Sequence, residues 1–180
     1  MDISYRLIRS SRKTLAIQIT PSGEVIVRCP NRMAKREAEA FLESKRSWIE
    51  EHLEKVAARP KEPALSAQEL QELSRRAAED ISERVARFAP QVGVSYGRIT
   101  IRSQRTRWGS CSAKGNLNFN CLLMLCPEEV RDYVVVHELC HRIEMNHSPK
   151  FWAQVERVCP DYRVHRKWLK DHGGELIGRL

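Results

Sequence analysis

The chain of 180 residues carries 31 Lys and Arg against 23 Asp and Glu, a formal net charge of +8. That length suits one well-formed core, or one core with a small appendage, and excludes a large processive machine; the basic balance favours anionic partners without naming one. The amino terminus MDISYRLIRSSRK has no long apolar centre, and nowhere do about eighteen apolar residues run together, so membrane spanning and secretion are not expected and a cytoplasmic location is.

Leu15, Ile17 and Ile19 alternate with Ala16, Gln18 and Thr20. PSGE then supplies a turn, and Val25 and Val27 resume the alternation, which predicts a β-hairpin. From Met33 to Ala58 the apolar residues Ala38, Phe41, Leu42, Ile49, Leu53 and Val56 recur at helical spacing and predict one long helix. ARPKEPA, residues 58–64, is the most linker-like stretch because its two prolines interrupt a helix. A boundary near residue 62 follows, with the hairpin and long helix in 1–62 and a catalytic domain in 63–180.

Ser66 and Glu69 have the spacing of a capping box, and Leu70, Leu73, Ala77, Ile81, Val85 and Phe88 form a helical stripe up to Pro90. Between Val92 and Cys126 the pattern turns to strands: Val92, Val94 and Tyr96 alternate, as do Ile99 and Ile101, and Leu117 and Phe119 follow AKGN in a second hairpin. A small sheet therefore precedes the segment PEEVRDYVVVHELCHRIEMNHSPKFW.

That segment holds HELCH, an HExxH pattern made by His137, Glu138 and His141. At about 3.6 residues per turn, residues four apart share one helix face, so both imidazoles can meet one ion while Glu138 stands beside them. Pro127, Glu128 and Glu129 suit a helix start, with the carboxylates at its positive end. Val130, Tyr133, Val134, Leu139 and Ile143 give an apolar stripe, and the β-branched run Val134, Val135 and Val136 requires tertiary burial to stay helical. The helix is expected to stop at Met145 or Asn146, and Ser148 with Pro149 reads as the cap and first position of the next helix.

His147 thus falls in a tight turn, where it can swing back onto the metal face as third ligand. Glu156 on the following helix is the competing candidate. The bland alternative for HELCH is a helix with two satisfied histidines and a surface glutamate. Cys140, turned about a hundred degrees from His141, reads as core. The six cysteines show neither CxxC pairs nor the density of a disulfide scaffold and read as reduced thiols. Phe151, Val155, Val158 and Tyr162 should pack on the motif helix, and the tail DHGGELIGRL reads as loosely ordered.

The stretch from Arg107 to Trp152, RWGSCSAKGNLNFNCLLMLCPEEVRDYVVVHELCHRIEMNHSPKFW, resembles the YgjP-like metallopeptidase domain, a relative of the SprT-like and WLM zinc proteases. The resemblance extends to RSSRKTLAIQITPSGEVIVRCP and SKRSWIEEHL and so covers most of the chain. It implies His137, His141 and His147 as ligands of one zinc ion and a compact α+β zincin-like fold, a small sheet packed on the motif helix. Metzincins share the histidine spacing but place Gly at the position of Glu144 and carry a downstream methionine turn; no methionine follows Met145 here. By fold analogy, an edge strand in Arg107–Ser112 or Asn116–Asn120 receives an extended peptide.

The implied function is a zinc-dependent metallopeptidase acting on protein or peptide, with zinc-bound water activated by Glu138 as general base. The alternative is a metal-dependent nucleotide phosphohydrolase with the same site, and a weaker one is a non-catalytic module stabilised by zinc, which has no use for Glu138. Arg107, Trp108, Gly109 and Ser110 are cleft candidates; for Trp108 and Gly109, core filling and close backbone approach are equally good readings. Arg98, Arg102, Arg105 and Arg107, with Arg6, Arg9, Arg12 and Lys13, either grip nucleic acid or nucleotide phosphates or form solvated strand faces. The oxyanion donor is left unassigned: Tyr162, His165 and Arg166 lie one or two helical turns beyond the ligands, and each reads at least as well as a surface or packing residue.

Overall fold

The computed structural model describes residues 3–20, 22–58 and 62–180. It divides into two compact units, Met1–Glu62 and Pro63–Leu180, and both combine a small three-stranded sheet with helices in an α+β arrangement.

In the first unit, β1 (Tyr5–Ser10), β2 (Ala16–Ile19) and β3 (Val25–Pro30) lie in the order β1-β3-β2. The expected hairpin is β2 against β3, antiparallel, with Ile17 opposite Val27. Gly23 takes φ +83 in its turn, a conformation open to glycine at little cost; Pro21, the first residue of PSGE, lies outside the described residues. Strand β1 was not expected. It runs parallel to β3, and the arginines at positions 6 and 9 obscure the inward alternation of Tyr5 and Leu7.

The long helix predicted for 33–58 is two helices, α1 (Lys35–Ser44) and α2 (Arg46–Ala57), broken at Lys45 with φ −111 and ψ 12. The break sits where the Ser44 hydroxyl donates to the Phe41 carbonyl at 2.7 Å, a side-chain competitor for helical backbone bonding. Val25, Val27, Ala38, Leu42 and Ile49 form this unit's core. Of the linker-like stretch, residues 59–61 lie outside the described residues.

The second unit opens with α3 (Ala67–Val92), whose Ser66 and Glu69 form the expected capping box. Pro90 does not end this helix. It sits in the last turn, and Gly93 closes the helix at φ +82, with its N–H donating to the Ala89 carbonyl. Val92 therefore ends a helix, and Val94 and Tyr96 lie outside any strand, contrary to the alternation.

Strands β4 (Ile99–Arg102), β5 (Gly109–Cys111) and β6 (Leu117–Asn120) follow in the order β4-β6-β5, with β6 parallel to β4 and antiparallel to β5. Of the two segments expected to offer an edge, 107–112 contributes the edge strand β5 and 116–120 is the centre of the sheet. A 3-10 turn, Cys121–Leu125, leads into α4 (Glu128–Cys140), α5 (Pro149–Val158) and α6 (Tyr162–Gly178). The tail expected to be loose is thus largely helical.

Helix α4 is apolar around much of its girth, and Val130, Val134, Val135, Val136, Leu139 and Cys140 are all buried. A helix of that kind belongs inside a core, where packing offsets the poor helix propensity of three successive valines. Its other fixture is ionic. Arg84 of α3, side chain 8% exposed, bonds Asp80, Glu128 and Asp132, while Arg131 reaches Asp80 at 2.9 Å. The stripe predicted for α4 overreached at Ile143, which is 49% exposed because the helix has already ended.

Candidate metal and catalytic centre

Pro127 caps α4 without a side-chain bond, and Glu128 and Glu129 occupy its first turn, where the helix dipole favours negative charge. The helix ends at Cys140, five residues earlier than the first expected stop, and His141 is its C-cap at φ −64 and ψ −12. Those angles are still close to helical, so His141 stays one turn from His137, with ring centroids 5.0 Å apart. The chain then turns through residues 142–147. Ser148 caps α5 by accepting from the Phe151 N–H, and Pro149 takes the first helical position, as expected.

This punctuation delivers His147 beside the other two rings. Its Nε2 lies 3.0 Å from the Nε2 of His137. Among the described residues, His137, His141 and His147 form the one group of three potential metal-ligating side chains, their ligand atoms all within 4.8 Å of one another. Glu156, the competing third ligand, pairs instead with Arg163 at 2.8 Å.

Neighbours fix the rings. Phe151 is fully buried with its centroid 4.9, 4.5 and 4.9 Å from His137, His141 and His147, and so forms a floor under all three. Trp152 stacks on His147 at 5.7 Å and on Tyr162 at 5.1 Å. The His141 Nδ1–H donates to the Glu144 carbonyl at 3.2 Å, which leaves Nε2 as the unprotonated ligand atom. Tyr133 Oη lies 3.5 Å from His137 Nδ1. Burial, then the neighbouring charges of His141, His147 and Arg166, push His137 down to about 3, and burial also lowers His141, so both rings are neutral at neutral pH.

Glu138 is 6% exposed, and burial pushes its carboxyl up to about 8 against the opposing charge of Arg107. It faces β5. A Cβ placed on Gly109 would lie 2.6 Å from Glu138 Oε1 and 2.7 Å from its Cγ, so only a residue without a side chain leaves the carboxylate where it is. Of the cleft candidates, Gly109 and the charge of Arg107 thus meet Glu138. Trp108 packs toward α6, where a Cβ on Gly173 would lie 3.1 Å from its ring. Strand alternation turns Ser110 to the other face, where its Oγ accepts from Asn118 Nδ2 at 3.3 Å.

Sequence reading missed Asn120. Fully buried, it donates through Nδ2 to the carbonyls of Gln104 and Arg107, accepts through Oδ1 from Leu122, and its backbone N–H donates to the Trp108 carbonyl. It pins the segment that leads into β5. A polar residue inside the apolar run FNCLLMLC was the available signal. Of the other arginines singled out in the sequence, Arg105 donates to the Leu180 carbonyl, Arg6 pairs with Glu24, and Arg9 donates to main-chain carbonyls.

The donor set fits a divalent metal. The ligand atoms of His137, His141 and His147 lie within 4.8 Å of one another, close enough that they would hold one ion, and neutral imidazoles are competent ligands without prior proton loss. Two histidines one helical turn apart and a third from the next turn form a group that could hold a metal ion, with a buried glutamate next to the first of them. The chain belongs to the family described as YgjP-like, metallopeptidase domain, which matches residues 13–72 and 62–172. That family implies a divalent metal.

Two solved structures are similar in part. The zymogen of Pyrococcus abyssi abylysin, a metallopeptidase, aligns with 21% identity and a TM-score of 0.46, covering 51% of this chain and 93% of that one. The zymogen of Methanocaldococcus jannaschii jannalysin, also a metallopeptidase, aligns with 22% identity and a TM-score of 0.42, covering 51% and 95%. No curated protein matches the chain. Among the described residues no helix is long and apolar enough to cross a membrane.

Proposed function

We propose that the chain is a zinc-dependent peptidase in which His137, His141 and His147 hold one zinc ion and Glu138 is the general base. The observation that carries this reading is the seat of Glu138: a buried carboxyl, next in sequence to one member of a three-imidazole cluster, for which a neighbouring strand gives up its side chain at Gly109. A structural zinc site has no need of such a group.

A zinc ion bound there supplies a Lewis acid that acidifies water and polarises a carbonyl. Glu138 takes the proton of the attacking water and passes it to the leaving amine. Burial raises this carboxyl, and a dipositive ion held by the neighbouring histidines would draw it back down, so that it meets the water as a carboxylate and then holds the proton as an acid. Gly109 keeps the carboxylate in place, and the neutral rings of His137 and His141 leave their nitrogens free to ligate. Edge strand β5, beside Glu138, offers backbone groups for pairing with an extended peptide.

The test is cleavage of an unfolded protein such as casein, with a panel of nucleoside triphosphates in parallel. Glu138→Gln should keep one zinc per chain and lose peptide turnover by about 10²–10⁴-fold. His147→Ala should lose most of the zinc under the same dialysis. Nucleotide cleavage without peptide cleavage, or full activity in Glu138→Gln, contradicts the reading.

A further inference from the structure

We propose that Arg142 is a positioning residue: it locks the turn that joins β5 to β6 onto the metal-binding end of α4, and so sets where a peptide paired with β5 lies relative to the ion. The inference rests on the peptidase reading above, with β5 as the strand that receives substrate, and adds the part that aligns that strand with the histidines.

Arg142 directly follows His141. Its backbone N–H donates to the Leu139 carbonyl at 2.9 Å and closes the end of α4, while its side chain reaches two other segments. Nη1 donates to the Ala113 carbonyl at 3.0 Å, in the turn between β5 and β6, and Nε donates to the Ser95 carbonyl at 3.1 Å, in the segment that follows α3. Gly115, buried and at φ +80, lies against the guanidinium: a Cβ there would stand 2.8 Å from Nε and 2.9 Å from Cζ. The turn thus gives up a side chain where the arginine rests on it.

The same turn is held from a second side. The Gly97 N–H donates to the Gly115 carbonyl at 2.8 Å and the Arg98 N–H to Asn116 Oδ1 at 3.0 Å, so the segment whose Ser95 carbonyl meets Arg142 also grips the hairpin directly. Arg142 completes a three-way junction of α4, the segment after α3 and the hairpin. A guanidinium suits that place, because its donors diverge in a fixed plane and serve two carbonyls on different segments, which one ammonium does less well.

The junction bears on the reaction because substrate and metal are carried by different elements. A peptide pairing with β5 takes its position from that strand, and the histidines take theirs from α4 and the turn after it. Two fixtures join the strand to the helix: Gly109 against Glu138 at the start of β5, and Arg142 at the turn that follows the strand. With the first alone the strand can pivot, and a misplacement of about 1 Å is enough to cost about 10²-fold in rate.

Arg157 supplies the comparison. It donates in the same way to two main-chain carbonyls, Gln91 at 3.0 Å and Val92 at 3.1 Å, but these bonds tie α5 to the end of α3, and neither reaches β5 or its turn.

Arg142→Met, Arg142→Lys and Arg157→Met are assayed on an extended peptide, with kcat expressed per bound zinc so that loss of folded protein is divided out. Arg142→Met should lower kcat by about 10²-fold while KM stays within about threefold, and Arg142→Lys should recover about tenfold of the loss. Arg157→Met should keep the wild-type kcat per zinc even where its urea midpoint falls. Amide exchange of residues 109–116 in the metal-free proteins, read by mass spectrometry, should quicken in Arg142→Met and not in Arg157→Met, and this measurement makes no use of activity.

A wild-type kcat in Arg142→Met, or equal losses in Arg142→Met and Arg157→Met, overturns the assignment of Arg142, while wild-type cleavage that is abolished in Glu138→Gln leaves the peptidase reading standing. A wild-type protein that binds zinc and cleaves no peptide overturns both, whatever the exchange of the hairpin.

Discussion

Gly109 and Glu138 meet at a distance that leaves no room for a methyl group. The backbone of Gly109 has ordinary dihedral angles, since the positive-φ glycines are Gly23, Gly93 and Gly115, so alanine at 109 is penalised by the carboxylate and not by its own conformation. Gly109→Ala should destabilise the protein by about 1–3 kcal/mol, as overpacking does. The same change in a Glu138→Ala background should cost close to nothing, and urea midpoints of the four proteins in this cycle measure the difference. Equal costs in both backgrounds would show that the glycine is needed for some other reason. His137, Glu138 and His141 were legible in the sequence because they are spaced by the helix that carries them. The constraint on Gly109 was not, because it is set by a residue 29 positions away across a sheet edge. Phe151 was read as core and is core, yet its position under three imidazoles depends on a turn whose path the sequence did not reveal.

Helix α4 owes its place to a buried ionic bridge as much as to its valines. Removing Arg84 leaves Asp80 and Asp132 without their shared partner, and Arg84→Met should cost about 3–5 kcal/mol, read from chemical denaturation. The bridge also sets an acid limit. Burial alone would raise the Asp80 carboxyl, but hydrogen bonds and charges from Arg84 and Arg131 outweigh it and hold the carboxyl below its ordinary value. A carboxylate lowered in the folded state stabilises it fully above the unfolded value, about 3.9, and that contribution fades as pH falls through the lower folded value. The denaturation midpoint should therefore drop below about pH 4, and Arg84→Met should drop less over the same interval. At this scale the capping signals served well: Ser66 with Glu69, and Ser148 with Pro149, begin helices where expected. Endings were harder to read. α4 stops at Cys140 where the apolar pattern runs on, α3 passes through Pro90, and the supposed single helix over 33–58 yields at Ser44, each for a local reason that periodicity does not register.

Each of the two units has a hydrophobic core of its own, a small one around Val25, Val27 and Ile49, and a larger one around Phe119, Leu139 and Phe151. All three clustered histidines, Glu138 and Gly109 lie in the second unit. Residues 63–180 expressed alone should therefore fold and bind metal with the stoichiometry of the full chain, measured by circular dichroism and metal analysis. A fragment that is unfolded, or folded without metal, would contradict this. The first unit was half legible: its hairpin follows from alternation, while β1 is parallel to β3 and joins through pairing that no local pattern announces.

His147 enters the site from a turn, whereas His137 and His141 are spaced by helix α4 and its cap. For any ion held by all three, that asymmetry sets the order of departure. The turn can open while the helix stays intact, leaving the ion on two ligands and exposed to competitors. Release into excess chelator should then level off at a rate fixed by the opening of residues 142–147, and substitutions that loosen the Ser148 cap should raise this ceiling. An exchange rate that climbs in proportion to chelator concentration would mean that the competitor reaches the ion without waiting for the turn.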